Sequence, residues 1–173
     1  MLKPLFLSAA IALAAPAAVH AQAAAPNDAQ IAHIAYTAGQ IDIAAGEQAL
    51  KMSKDAKVRA FAQEMVRDHK AVNDQALALV KKLGVTPQDN PTSQALSKGA
   101  AAKLKELGAL SGAAFDRAYV QNEVAFHRTV NGALSSTLIP NAKNGELKGL
   151  LQTGLKLFTA HQHHAEQLAT GAH

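Results

Sequence analysis

The sequence predicts an all-α fold: an antiparallel four-helix bundle with a long helical crossover between its second and third helices. Two observations carry this. Apolar residues recur at helical spacing through four long segments, and Gly, Pro and Asn concentrate between those segments. The chain is Ala-rich and poor in β-branched runs, so no strand segment competes.

The elements follow in order. Helix A is expected from about Asp28 to Lys51, with Asn27 as N-cap and Gln30 three residues on, a capping-box pattern. Its stripe is Ile31, Ile34, Ala38, Ile41, Ala45 and Ala49. Helix B is expected from Ser53, read as its cap, to Leu83, with Gly84 ending it in the left-handed region. Its stripe includes Val58, Phe61, Met65, Val72 and Leu79, and the very short A–B turn makes a hairpin. Gly84 to Pro91 reads as a loop, and Thr92 to Leu107 as a weaker helix broken near Gly108 and Gly112, packed across one end. Helix C is expected from about Ala113 to Leu138, with Phe115, Tyr119, Phe126, Val130 and Leu134 inward. Pro140 to Asn144 reads as a turn. Helix D runs from about Gly145 to Thr170, weakened by Gly149 and Gly154. Two hairpins joined by a long connection describe the ferritin-like arrangement.

The first 21 residues read as a cleavable signal peptide. Met1 and Lys3 give a positive start, Leu5 to Ala15 an apolar run and Pro16 a break. Val19-His20-Ala21 then offers small residues for cleavage after Ala21, which implies delivery to the periplasm or beyond. The apolar run falls far short of the roughly 20 residues that span a bilayer, so no transmembrane segment is expected after cleavage. The 152 residues that remain divide into a short segment, 22–27, and one bundle domain, 28–170.

Composition narrows the function classes. The chain has no Cys, hence no disulfide and no lipid-attachment thiol. Its formal charge of +4 is spread along the helices without a basic cluster, which argues against nucleic acid and leaves a loose attraction to an anionic envelope surface. No Ser/His/Asp nucleophile arrangement and no phosphate-binding Gly loop is present.

The informative residues are polar ones on the apolar faces. On helical wheels, Asp42 falls within the stripe of helix A and His69 near the stripe centre of helix B. Glu123 and His127 sit four apart on the inward arc of helix C, and His161 follows Phe158 on helix D. His33 and Glu47 point outward. At 1.5 Å per residue, all five inward groups fall within roughly the middle 10–15 Å of the bundle. Helices B and C also repeat each other: Gln63, Val66, His69, Val72 and Asn73 match Gln121, Val124, His127, Val130 and Asn131 at one offset. The two helices should present equivalent histidines.

Phe61-Ala62, Met65-Val66, Asp68-His69, Leu110-Ser111-Gly112, Phe115-Asp116, Tyr119, His127 and His161 together resemble a bacterial family of exported proteins of unknown function. Its members are often labelled outer membrane proteins and classed as ferritin-like. The resemblance runs from about Asp28 to Leu168 and implies a ferritin-like bundle in the cell envelope, with no established activity. The outer-membrane label finds no barrel strand or lipid anchor here.

Two readings of the inward cluster stand side by side. His69, His127 and His161, with Asp42 and Glu123 as carboxylates, suit a metal ion (iron, zinc, manganese or copper) or a small ligand. Alternatively the same residues form a polar network that fixes helix register in a structural or interaction protein. A ferritin-type di-iron centre is not expected, because no inward Glu-x-x-His exists and helix A offers Asp42 rather than Glu. Glu64 faces away from the stripe centre. The tail His161-Gln162-His163-His164, with His173, reads as solvated imidazoles on a fraying end, and Asp68 and Asp116 as local caps or pairs.

Overall fold

A computed structural model of the chain describes residues 25–171. The expected signal peptide, residues 22–24 of the segment 22–27, and residues 172–173 lie outside the described residues. The described chain is helical without a strand: α1 (Asp28–Met52), α2 (Ala56–Lys82), α3 (Pro91–Gly108), α4 (Gly112–Ala133), a π-turn (Leu134–Leu138), α5 (Ile139–Asn141) and α6 (Gly145–Thr170). No helix among them is long and apolar enough to cross a membrane.

The helix starts follow capping chemistry. Asn27 and Gln30 form the expected capping box on α1. At α2 the cap is Asp55 rather than Ser53, its Oδ1 accepting from the backbone of Lys57 and Val58. Aspartate adds a negative charge at the helix N-terminus, which serine cannot. Gly84 adopts φ 64° after α2 and Gly171 φ 69° after α6, conformations that favour glycine.

Helix α3 departs from its expected place. It does not cross one end but runs along α1 for nearly the whole length of that helix. Asn90 donates to the Gln30 carbonyl at one end, and Gln48 donates to the Leu104 carbonyl at the other. Helix α4 therefore begins beside the start of α2 and runs in the same direction, while α6 returns against it. The turn expected at Pro140 is also displaced, since the chain stays helical through Asn141. Proline lacks the N–H that the Ser136 carbonyl would receive, and the preceding turn widens into the π form.

The core has two apolar halves. One gathers Ala49, Val58, Phe61, Met65, Leu107, Phe115 and Tyr119; the other Ile31, Ile34, Val80, Leu134, Leu138, Leu151 and Phe158. Phe126, expected inside, is only half-buried and faces α3. Each large side chain taken from water contributes about 1.5–3 kcal/mol. Helices α1 and α2 approach closely at Gly46, where a Cβ would lie 2.9 Å from Val66 Cγ2 and 3.0 Å from the Ala62 carbonyl oxygen. Between the halves lies a layer of buried ionisable groups.

Candidate functional site

That layer holds the five residues singled out from the helical wheels. Asp42 comes from α1, His69 from α2, Glu123 and His127 from α4, and His161 from α6. None is more than 2% exposed. His33 and Glu47 stay outside the layer, near Asp89 and Lys70 respectively.

The three imidazoles form a compact triangle. Ring centroids are 5.6 Å apart for His69–His127, 5.4 Å for His69–His161 and 5.6 Å for His127–His161. One ring nitrogen from each lies within 4.8 Å of one from the others. Phe158 stacks on His69 at 4.6 Å and 12°, fixing its ring plane. One turn further on, the matched asparagines behave alike, Asn73 donating to the Tyr36 carbonyl and Asn131 to the Phe158 carbonyl and Gln162, whereas the two histidines differ in their partners.

Partners set which nitrogens are bare. His127 Nδ1 lies 3.1 Å from the Glu123 carbonyl, an acceptor only, so Nδ1 carries the hydrogen and Nε2 is left with a lone pair. His161 Nε2 lies 3.0 Å from Asp68 Oδ2. Arg67 beside Asp68, with His161 itself, holds that carboxyl below its ordinary range, so it accepts and leaves His161 Nδ1 bare. Among the described residues, neither His127 Nε2 nor His161 Nδ1 has a hydrogen-bond partner, and nor has either nitrogen of His69. His69 Nε2 lies 3.4 Å from Asp42 Oδ2 without forming a hydrogen bond.

Burial keeps the imidazoles neutral. His69 is pushed well below its ordinary value, first by burial and then by His127 and His161. His127 is lowered to about 4 mainly by burial, and His161 is lowered by burial against the pull of Asp68. The carboxyls move the other way. Asp42 is raised well above its ordinary value by burial and by Glu123, and burial lifts Glu123 to about 8. Both oxygens of Glu123 lack a hydrogen-bond partner, while Asp42, Glu123 and His127 each bring an oxygen or nitrogen within 4.8 Å of the others. A cation bound beside them would displace the protons these carboxyls retain and take up unpaired oxygens.

Two readings of neighbouring residues need correction. Asp68 does pair locally, with Arg67, but it also reaches from α2 to α6 and fixes the tautomer of His161. Sequence reasoning missed this because the wheel of α2 does not say which helix covers the residue beside His69. His163 and His164 do not sit on a fraying end, since α6 continues to Thr170. His164 Nδ1 contacts Glu64 Oε2 at 2.8 Å and meets the edge of Phe61. Asp116 has an Oδ1 without a partner rather than a cap to serve.

Comparison with known proteins adds context. A family model described as "Domain of unknown function (DUF4142)" matches residues 13–168. A Streptomyces coelicolor protein described as a secreted DUF305 protein has a similar solved structure, with a TM-score of 0.69 at 14% sequence identity. The match covers 84% of this chain and 93% of that one, and at this identity it speaks for the helical fold alone. No curated protein matches the chain.

Proposed function

The chain belongs to the DUF4142 family, and from that premise, which supplies no activity, we propose that it is an exported four-helix bundle of ferritin-like arrangement that binds one metal ion. His69, His127 and His161 would be the ligands, with Asp42 and Glu123 as neighbouring carboxylates. The observation that carries the reading is that three buried, neutral imidazoles each bring a ring nitrogen within 4.8 Å of the others, and each has a nitrogen with no hydrogen-bond partner among the described residues. Nitrogens 2.0–2.1 Å from one tetrahedral ion sit about 3.4 Å apart, so the triangle needs only a modest side-chain closure. The outward nitrogens of His127 and His161 are held by an acceptor each, the arrangement that orients imidazole ligands. Nitrogen-rich ligation favours zinc, copper or iron over manganese.

The residues do not fit a ferritin-type di-iron pair. Such a centre draws on glutamates from all four helices, whereas this layer offers one glutamate, one aspartate and three histidines. Ferroxidase chemistry is not proposed. Export rests on the leader pattern, supported by the secreted description of the similar DUF305 protein. The second reading, a register-setting network in an envelope protein, is supported by the Asp42–His69 approach. It gives no role to the unpaired nitrogens, and unpaired buried polar atoms cost about 1–3 kcal/mol each.

Metal analysis of protein purified from native periplasm without a His-tag tests the proposal. Near-stoichiometric metal that disappears when His69 is replaced supports it. Metal-free protein that also fails to take up added zinc, copper or iron rejects it.

A further inference from the structure

One side of the polar layer opens into a mostly enclosed cavity of about 310 Å³ between α1, α2, the π-turn and α6. Asp42 and His69 close one end, and Ile34, Leu138 and Leu151 line the other. We propose that this cavity binds a small, neutral, mostly apolar molecule carrying one hydrogen-bonding group, with that group turned to His69 and Asp42. The proposal goes beyond metal binding and does not require a metal on the histidines.

Shape sets the size. The lining residues run from Ile34 to Asp42 on α1 and from Leu150 to Phe158 on α6, about 12 Å along each helix. At roughly 30 Å³ per water-sized group, the volume holds about ten non-hydrogen atoms, one chain or ring wide. Polarity sets the chemistry. Walls this apolar stay dry and would strip a charged head of its water at a cost of several kcal/mol, which favours a hydroxyl, carbonyl or amide. At the polar end, His69 is 2% exposed and neither ring nitrogen has a hydrogen-bond partner. A ligand group there satisfies an atom that the protein leaves unpaired.

The fold makes and keeps this space. Ala35 and Ala38 are small where α1 faces the cavity. The π-turn that Pro140 imposes forms part of the wall, and such turns are frequent at functional sites. An entrance is also present. Thr92, Leu96 and Thr129 line both this cavity and an apolar groove beneath α3, so the crossover helix borders the route in.

Calorimetry and amide NMR on the metal-stripped protein with 1-nonanol, which has about ten non-hydrogen atoms, test the inference. Saturable 1:1 binding that shifts the signals of both His69 and Ile34 is expected. Ala38→Leu fills the cavity without touching a histidine, and should weaken nonanol at least about tenfold while remaining helical by circular dichroism. Nonanoate at neutral pH should bind more weakly than nonanol. No saturable nonanol binding, equal binding by a folded Ala38→Leu, or equal binding of nonanoate overturns the proposal. Zinc titration of the same two proteins reports on the metal site separately: Ala38→Leu should take up zinc as the parent does. Nonanol binding without zinc uptake rejects only the metal; zinc uptake without nonanol binding rejects only the cavity ligand.

Discussion

The Nε2 of His161 lies 3.0 Å from Oδ2 of Asp68, so a carboxylate near the edge of α2 determines which nitrogen of a buried histidine on α6 is bare. Removing that carboxylate frees the ring to turn or change tautomer. Asp68→Ala should weaken zinc binding about 10- to 100-fold with little change in helicity, and Asp68→Asn should lie between. Competition titration against a zinc indicator measures it. Parental affinity in Asp68→Ala would show that the bond does not orient His161.

Opposite pKa shifts give the metal-stripped protein a pH signature. Glu123 is raised from 4.5 to about 8, so between those values the folded protein holds a proton that the unfolded chain has lost. Its contribution is full at low pH and is lost as pH rises through about 8. His127, lowered from 6.5 to about 4, contributes above 6.5 and loses that contribution as pH falls toward 4. Above 6.5 the carboxyl effect of the layer acts alone. The melting temperature should therefore fall between pH 6.5 and about 8 and level off above, and Glu123→Gln should flatten that decline. A parental melt that is level or rising over this range would contradict the buried, protonated Glu123.

His69 and Asp42 should couple. His69→Leu takes the ring from beside a buried carboxyl and should cost about 1–3 kcal/mol. Adding Asp42→Ala should recover part of that loss, so the double mutant is non-additive in urea unfolding. Effects that add within about 0.3–0.5 kcal/mol would mean that the two side chains do not interact.

Two glycines separate packing from propensity. Gly149 has open space around it, so Gly149→Ala should stabilise α6 by about 0.8–1 kcal/mol. Gly46→Ala should instead destabilise by about 1–3 kcal/mol, because the new Cβ meets the backbone of Ala62 on α2. Denaturant melts of the two variants should move in opposite directions. A stabilised Gly46→Ala would mean that α1 and α2 are not so close.

Much of the fold was legible because period and caps are local. The stripes of α1, α2, α4 and α6, the Asn27 capping box and the Gly84 stop all come from neighbours within a turn or two. The same periodicity put Asp42, His69, Glu123, His127 and His161 on inward faces, and the structure brings them into one layer. What was not legible depends on pairs distant in sequence. The path of α3 is set by Gln30 meeting Asn90 and Gln48 meeting Leu104, and the role of Asp68 by a partner 93 residues away. The π-turn escaped for a different reason: Pro140 reads as a stop, yet the helix can widen instead of ending.

Cobalt(II) titration of the untagged, metal-stripped protein reads the buried centre itself. One tight equivalent with the visible bands of a low-symmetry site is expected. The bands should persist when His163 and His164 are both changed to Ala, and be lost in His69→Gln and His127→Gln variants that remain helical. Weak cobalt binding spread over several sites, or tight binding that survives His69→Gln and His127→Gln but disappears with His163 and His164, would contradict a metal centre in the buried layer.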